Sequence, residues 1–412
     1  MANVYQTVDW MAMESLDLLV NKLAVCAKFN TSYNKDFTKP FAVGDQIRIK
    51  KPQQFTIRDG LGYSAQGINR ITTTVNLDQY FGIDFEWDSY EAAVKMERSE
   101  AALSKEYLEP AMSQLAQEWE SRACLWGYQN ANNIVGVLGT DPTSFDATSA
   151  AARARLTELG CPAGGERAMV VAPQVMRALK NAAIGYFNPV TDLSKQWRTG
   201  IVGSGDGFEW YESVSLYSHT AGSLTATPTV KTTSLDGATT LAITCTNGDT
   251  LKKGDVIAVN SVNQVNARTR RKLTATKKEF TVGADYTAAS STITAAISPP
   301  IYGPGSQYQN VDALPVAGAT VTLFPGTSSP NDKVGVNGLA FHENAFAFVS
   351  VPFEKPTAAE VSWLKRDPET GVTVRFVRMF DVDASKMKNR FDCFGGFGNL
   401  YNDECAVRIL GA

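Results

Sequence analysis

The chain has 412 residues, 44% of them hydrophobic, with a formal net charge of -3 and two histidines. That apolar share supports two or three domains with proper cores, and the slight negative charge excludes a polycation built to seek nucleic acid. An apolar run of about 18 residues is absent, which argues against a membrane span, and the start Met1-Ala2-Asn3-Val4-Tyr5-Gln6 lacks the basic and apolar regions of a signal peptide.

Residues 8–28 predict an amphipathic helix. Asp9 is placed to cap it, Met13, Leu16, Val20, Leu23 and Ala27 recur on one face, and Glu14, Asp17 and Asn21 fall on another. Gln46–Lys50 alternates as a strand exposed on one side, and Thr72–Leu77 and Phe81–Trp87 alternate again. The connection, Lys51 to Ile71, is rich in Gln, Gly and Arg and reads as poor in large apolar residues. Strands joined by so long a polar segment form an extended hairpin that cannot bury its own tip. It is either disordered or covered by another subunit. Lys50, Lys51, Arg58 and Arg70 surround Asp59, so this basic arm is expected to meet carboxylates on a neighbouring subunit.

The strongest helical pattern lies in 89–128, with Asp88 or Ser89 able to cap its start. In its second part Leu108, Met112, Leu115, Trp119, Ala123 and Trp126 form one apolar stripe along roughly 30 Å of helix. Pro110 is expected to start a new helix or kink an existing one, and Gly127 to stop it. Ala147–Leu159 reads as a helix ended by Gly160, Ala168–Ala172 as a buried strand, and Pro173–Asn181 as a helix with Pro in its first turn. Trp197–Gly207 reads as a loop and Phe208–Leu216 as an edge-like strand.

Between about Ser223 and Lys333 the composition changes and then changes back. The stretch lacks Trp, Met and His and is built from Thr, Ser, Val, Ala and Gly, with turn dipeptides such as Asp236-Gly237, Asn247-Gly248 and Pro304-Gly305. Strand-length apolar runs between such turns predict an all-β unit inserted into a mixed parent. Its basic cluster, Arg268, Arg270, Arg271, Lys272, Lys277 and Lys278 with Glu279 nearby, falls on a hairpin or loop. A solvated strand and a subunit contact both fit, while the absence of interleaved aromatics counts against nucleic acid. After it, Gly338–His342, Ala345–Val351, Val372–Phe380, Asn389–Phe397 and Ala406–Leu410 read as strands.

Chemistry is hard to find. The six cysteines, at 26, 124, 161, 245, 393 and 405, never form Cys-x-x-Cys, so they read as small buried hydrophobes rather than a zinc site or disulfide framework. Neither His219 nor His342 lies in a nucleophile motif, and both read as ordinary structural or surface histidines. Gly203-Ser204-Gly205-Asp206-Gly207 and Gly395-Gly396-Phe397-Gly398 lack the strand-then-helix context of a dinucleotide loop. No catalytic, cofactor-binding or metal residues are assigned, which favours an assembly protein over an enzyme.

The order of parts resembles the major capsid protein of tailed double-stranded-DNA phages, the Hong Kong 97 fold, and among these the short-tailed-phage coat proteins with an inserted β-barrel. The resemblance is carried by Leu251-Lys252-Lys253-Gly254-Asp255-Val256-Ile257, Phe280-Thr281-Val282, Ile297-Ser298-Pro299-Pro300-Ile301 and Leu339-Ala340-Phe341-His342-Glu343-Asn344-Ala345-Phe346-Ala347. Asn389-Arg390-Phe391-Asp392-Cys393-Phe394-Gly395-Gly396 and Glu404-Cys405-Ala406-Val407-Arg408-Ile409-Leu410 add to it. It implies an α+β fold with an N-terminal arm (1–40), an extended loop (41–87) and a peripheral domain with a spine helix (88–139). An axial domain (140–222), the inserted barrel (223–333), and a return through the axial domain to the last peripheral strands (334–412) follow.

The resemblance further implies a shell of hexamers and pentamers around double-stranded DNA, held without sequence specificity. The shell would be built as a precursor on a scaffolding protein and expand on packaging, with a portal and in some relatives a decoration protein. It places the chain in the virion, in the host cytoplasm during assembly, without membrane or cofactor. Because the arm helix begins within about ten residues of Met1, a separate scaffolding protein is expected, with Asp9, Glu14 and Asp17 as contacts for its basic segment. Arg268, Arg270, Arg271 and Lys272 join the extended loop as expected subunit contacts. A nanocompartment shell of the same fold enclosing protein cargo, and an enzyme with a β-domain insertion, remain the alternatives.

Overall fold

The structure, a computed structural model, describes residues 16, 19, 23, 25–33, 46–51, 53–58, 60–63, 65–68, 72–88, 107–142, 144, 146–183, 204–324, 331–354, 356, 359, 361–367 and 371–411. The chain is α+β and rich in strand. Its first part holds β1 (Gln46–Lys50), β2 (Thr72–Asn76), β3 (Gln79–Asp88), helix α1 (Glu109–Asn130) and β4 (Asn133–Gly136). Then come a π-helical turn (Asp146–Ala150), α2 (Ala151–Leu159), β5 (Arg167–Val171), α3 (Pro173–Ala183), β6 (Ser204–Gly205), β7 (Phe208–Glu212) and β8 (Ser218–Thr220). The Thr-rich stretch contains β9 (Thr229–Val230), β10 (Ala238–Thr244), β11 (Thr250–Leu251), β12 (Val256–Val265), β13 (Lys272–Val282), β14 (Tyr286–Thr287), β15 (Thr292–Ile301) and β16 (Val321–Leu323). The return is β17 (Val334–His342), β18 (Phe346–Ser350), β19 (Val361–Arg366), β20 (Thr373–Asp381), β21 (Lys386–Asn399), α4 (Asn402–Cys405) and β22 (Ala406–Leu410).

These elements form two compact units, the first being Met1–Ile49, Thr72–Ala123 and Phe346–Asn399. Its sheet runs β1-β2-β21-β20-β19, and β21 also pairs with β3 and β18. One long strand thus serves four neighbours, β20 and β3 along its first part and β18 and β2 near its end. The glycines at that end make this possible. A Cβ on Gly395 would meet Val349 O at 2.2 Å, and one on Gly396 would meet Asn76 O at 1.8 Å. The run is therefore a place where backbones touch, which is why it lacks the context of a phosphate loop.

Trp119 lies over the same region, fully buried, with its ring edge-on to Phe81 (4.7 Å), Phe348 (5.0 Å) and Phe397 (5.9 Å). Leu108, Met112, Leu115 and Ala123 are buried with it, so the stripe runs as expected up to that point. Glu120, on the adjoining row, accepts hydrogen bonds from the backbone N–H groups of Val25 (2.9 Å) and Cys26 (3.1 Å), which satisfies a turn at Cys26–Lys28.

Several expectations are corrected. Gly127 does not stop α1, because Ala131 N–H still bonds Gly127 O (2.9 Å) and the helix runs on to Asn130. Trp126 is only half-buried, while Tyr128, off the stripe, is buried in its place. Pro110, by contrast, stands in the first turn of α1, as expected of a proline that starts a helix. In the N-terminal arm Leu16, Leu19 and Leu23 are buried but Ala27 is exposed, because the chain has already entered the Cys26–Lys28 turn. Leu16, Leu19 and Leu23 are thus covered within the single chain. Met13, Val20, Asp9, Glu14, Asp17 and residues 89–106 of the long helical pattern lie outside the described residues.

The second unit is Lys50–Ile71, Cys124–Ala345 and Leu400–Ala412. A mixed sheet of order β4-β22-β17-β5-β7-β6 forms part of it, with β22–β4 and β5–β7 parallel. β7 is shorter than expected and is followed at the sheet edge by the two-residue β6, to which a tight turn at Asp206-Gly207 connects it. β8 pairs antiparallel with the start of β17 (Thr220 opposite Val334), so the chain leaves and rejoins this sheet along two paired strands.

Between them lies a six-stranded antiparallel sheet, β16-β12-β13-β15-β10-β9. Its ends approach each other, because Val230 N–H bonds Ala319 O (2.8 Å) and Val321 N–H bonds Pro228 O (2.9 Å). Leu241, Ile243, Ile257, Phe280, Val282 and Ile293 fill its core together with Ile134, Leu138 and Leu410 from the mixed sheet and its approach. No helix among the described residues is long and apolar enough to cross a membrane.

Trp119→Ala removes the ring on which Phe81, Phe348 and Phe397 converge and should cost about 3–5 kcal/mol. Denaturant unfolding measures this, and unchanged stability would contradict the packing described.

Candidate subunit-contact site

Side-chain amides, not a backbone ladder, shape the extended loop. Thr56 N–H donates to Gln66 Oε1 (2.7 Å), Gln66 Nε2 donates to Thr56 O (2.5 Å), and Gln53 Nε2 donates to Gly67 O (3.1 Å). Arg58 donates to Gly62 O within the same turn. This leaves Phe55, Ile57, Leu61, Tyr63 and Ile68 in water, with Ile57 97% and Leu61 100% exposed. The reading of this connection as poor in large apolar residues is therefore corrected. These five residues follow neither helical nor strand period, so pattern analysis gave them no face. Grouped on one loop, they form an exposed apolar surface.

The basic residues of the loop divide. Lys50 is exposed at the end of β1, and Lys51 sits 5.9 Å from the centre of the Tyr401 ring. Asp59 and Arg70 lie outside the described residues.

The basic cluster of the Thr-rich segment sits at the turn between β12 and β13, as expected for a hairpin, but does not act as one surface. Arg268 and Arg271 are exposed at the turn. Arg270, at φ +54°, is half-buried and donates to Ser306 O (3.2 Å) and Gln307 O (2.7 Å). Gln307 Nε2 in turn donates to Gly67 O of the extended loop (3.2 Å). Lys272 pairs with Asp312 at 2.8 Å, and Lys277 donates to Asn263 Oδ1 at 3.1 Å. Lys278 is buried, because it lies past the point where β13 enters the protein.

Beneath this hairpin a buried polar seam fixes the Thr-rich segment to the mixed sheet. Arg408 is fully buried and donates to Ala131 O (2.6 Å), Gly254 O (2.5 Å) and Thr281 Oγ1 (3.3 Å), with its guanidinium 4.3 Å from the centre of the Tyr128 ring. Burial holds the Arg408 pKa below its ordinary value and raises that of Tyr128. Gly254, at φ +94°, must be glycine, since a Cβ would stand 2.9 Å from the Tyr128 ring. Asp255, with no exposed surface, sits 2.7 Å from His219 Nε2 and accepts from Lys252 N (2.7 Å) and Gly222 N (3.1 Å). His219 is thus a structural histidine.

Glu279 pairs with Arg155 at 2.9 Å and accepts from Ile134 N (3.0 Å). Even so, burial raises its pKa. Sequence reading missed this seam because its members are scattered: Arg408 is a single charge in an apolar strand, Asp255 lies in a turn, Arg155 on a helix, and Glu279 beside Lys277 and Lys278 reads as part of the basic cluster. The one local signal was a charge at an inward position, such as Arg408 between Val407 and Ile409.

All six cysteines are buried, and none forms a disulfide. Cys161 and Cys405, far apart in sequence, hydrogen-bond each other, which lowers the Cys161 pKa and raises that of Cys405. His342 sits beside them, its Nε2 2.8 Å from Gly164 O and its Nδ1 accepting from Asn344 N (3.1 Å). A cavity of about 160 Å³ is lined in part by Lys51, Lys278, Tyr302, Tyr401, Asp403 and Glu404. It mixes charges of both signs and shows no nucleophile–base pairing.

The family model described as P22 coat protein, gene protein 5, matches residues 20–407. Among solved structures, a Mycobacterium phage Che8 chain is similar at 15% identity, covering 95% of this chain and 92% of that one, with a TM-score of 0.48. A chain from the bacteriophage PhiM1 mature capsid is 10% identical over 90% and 82% of the two chains, TM-score 0.41. A virus-like particle from Pyrococcus furiosus is 8% identical over 97% and 98%, TM-score 0.40. No curated protein sequence matches the chain.

Burial pushes the Lys278 pKa down from 10.5 to about 8, opposed by the charges of Asp403, Glu279 and Glu404. Below pH 8 the folded and unfolded states both hold the proton and the full penalty applies. Between about 8 and 10.5 the folded state has released it while the unfolded state has not, so this contribution to stability rises with pH. Lys278→Met should therefore exceed the parent protein in stability at pH 7 by about 3 kcal/mol, with the gap closing toward pH 10.5. Urea unfolding of both proteins across this range checks it, and a gap that does not vary with pH would contradict the burial of a charged Lys278.

Proposed function

Because this chain belongs to the P22 coat protein family, whose model spans residues 20–407, we propose that it closes an icosahedral shell of hexamers and pentamers around double-stranded DNA. Family membership makes it a phage coat protein: a structural component of the virion shell, self-assembling and not an enzyme. The further proposal is a Hong Kong 97 architecture, assembled in the host cytoplasm on a scaffolding protein around a portal, expanding on packaging and in some cases decorated. One observation carries the self-contact part. The extended loop holds Phe55, Ile57, Leu61, Tyr63 and Ile68 in water, and its own hydrogen bonds keep it folded that way.

In this reading the loop lies across a neighbouring copy, which covers its apolar residues while Lys50, Lys51, Arg58 and Arg70 meet carboxylates there. Each exposed ion pair contributes only about 0–1 kcal/mol, so apolar burial supplies most of the affinity. Arg268 and Arg271 at the β12–β13 turn, with Arg270 and Lys272 behind them, form a second contact of the same kind. Asp9, Glu14 and Asp17 form part of the scaffold contact.

Assembly with scaffold, followed by electron microscopy, tests these assignments together. The parent protein should form closed shells, and deletion of residues 52–68 should leave a folded chain that forms none. Reversal of Asp9, Glu14 and Asp17 to Lys should weaken scaffold binding, and binding by the parent protein should fall with rising salt. Normal shells from the deletion would remove the loop from assembly, and normal scaffold binding by the triple variant would leave the acidic residues as a helix cap. Shells filled with protein cargo would overturn the genome-enclosing role.

Residues 223–333 are proposed as an inserted β-barrel domain. The paired strands β8 and β17 at its base and the hydrogen bonds joining the two ends of its sheet support this. Limited proteolysis should release a protected fragment with these bounds. Early cleavage inside it would argue against a domain.

A further inference from the structure

The Cys161, His342 and Cys405 cluster has no part in the coat-protein reading. Cys161 follows Gly160 at the end of α2, His342 ends β17, and Cys405 ends α4 just before β22. The two sulfurs and a ring nitrogen of His342 all lie within 4.8 Å of one another, and all three residues are buried. We propose that these three side chains form a binding site for a soft divalent metal, zinc by preference, that fastens the end of α2 to the mixed sheet.

The donor set is the first reason. Two thiolates and an imidazole suit zinc, and with bonds of about 2.0–2.3 Å a tetrahedral site sets its donors roughly 3.5–3.8 Å apart. The donors seen here need to close by no more than about 1.3 Å, within reach of a thiol rotation. The second reason is the imidazole. Nε2 lies 2.8 Å from Gly164 O and can donate to it, so Nδ1 keeps its lone pair, at present shared with Asn344 N–H. A ligating histidine is commonly oriented by this kind of backbone bond on its other nitrogen.

The third reason is charge. Binding releases one proton from each thiol to solvent, leaving Zn²⁺, two thiolates and a neutral imidazole with no net charge, which a buried site tolerates. A water would complete the fourth position.

Cobalt substitution on the full-length protein tests the site. Reduced protein titrated with Co²⁺ should bind one ion per chain and develop thiolate-to-cobalt charge-transfer absorption and tetrahedral d–d bands, both displaced by Zn²⁺. Cys161→Ser, Cys405→Ser and His342→Gln should each weaken or abolish the signal, whereas Cys245→Ser, which alters a cysteine outside the cluster, should leave it intact. A second readout needs no variant. Zn²⁺ should protect two cysteines of the parent protein from alkylation, identified by peptide mass as 161 and 405. Failure of stoichiometric binding, a signal lost equally in Cys245→Ser, or oxidation of Cys161 and Cys405 to a disulfide with Zn²⁺ present would overturn the proposal.

Discussion

The second unit depends on one buried cation. Arg408 stands in a strand whose other residues are apolar, and its guanidinium has no exposed surface. Such a group is tolerable only where acceptors surround it, and the carbonyls of Ala131 and Gly254, the Thr281 hydroxyl and the face of Tyr128 do so. Those four partners come from the segment after α1, the turn before β12, the end of β13 and the last turn of α1. Satisfying one side chain therefore determines where the Thr-rich segment meets the sheet, and it explains why Gly254 must be a glycine. The Glu279–Arg155 pair and Asp255 extend the same constraint. Removing one partner from a buried pair of this kind leaves an uncompensated charge, a loss of about 3–5 kcal/mol.

In the first unit the corresponding constraint is steric. β18 and β2 can join β20 and β3 on β21 because Gly395, Gly396 and Gly398 carry no side chain where Val349, Asn76 and Val75 approach. Trp119 then fills the space over Gly395 that a side chain would otherwise occupy. Small and large residues are complementary here, and neither is informative without the other.

Much of this was legible in order of local period. The helix stripe through Leu108, Met112, Leu115 and Trp119, the helix ending at Gly160, and the strands at Val372–Phe380 and Ala406–Leu410 follow from spacings of 3.6 and 2 residues. The Thr-rich segment announced itself by composition and turn dipeptides. What failed was local punctuation: Gly127 reads as a stop until Tyr128 is seen buried beyond it, and Lys278 reads as one more surface cation until β13 is seen to enter the protein. The exposed apolar residues of the extended loop escaped notice for the same reason, since residues that face no core have no period.

By itself the sequence determined the class of the chain, the positions of most elements and the family, because hydrophobic period, turn chemistry and motif order are properties of neighbouring residues. Only the tertiary structure decided which polar groups are buried together. Arg408 meets Ala131 across 277 positions, and Cys161, His342 and Cys405 converge from three separate elements. A charge or thiol acquires its role from the dielectric and the partners around it. Those are set by strand pairing between distant segments, which no local pattern encodes.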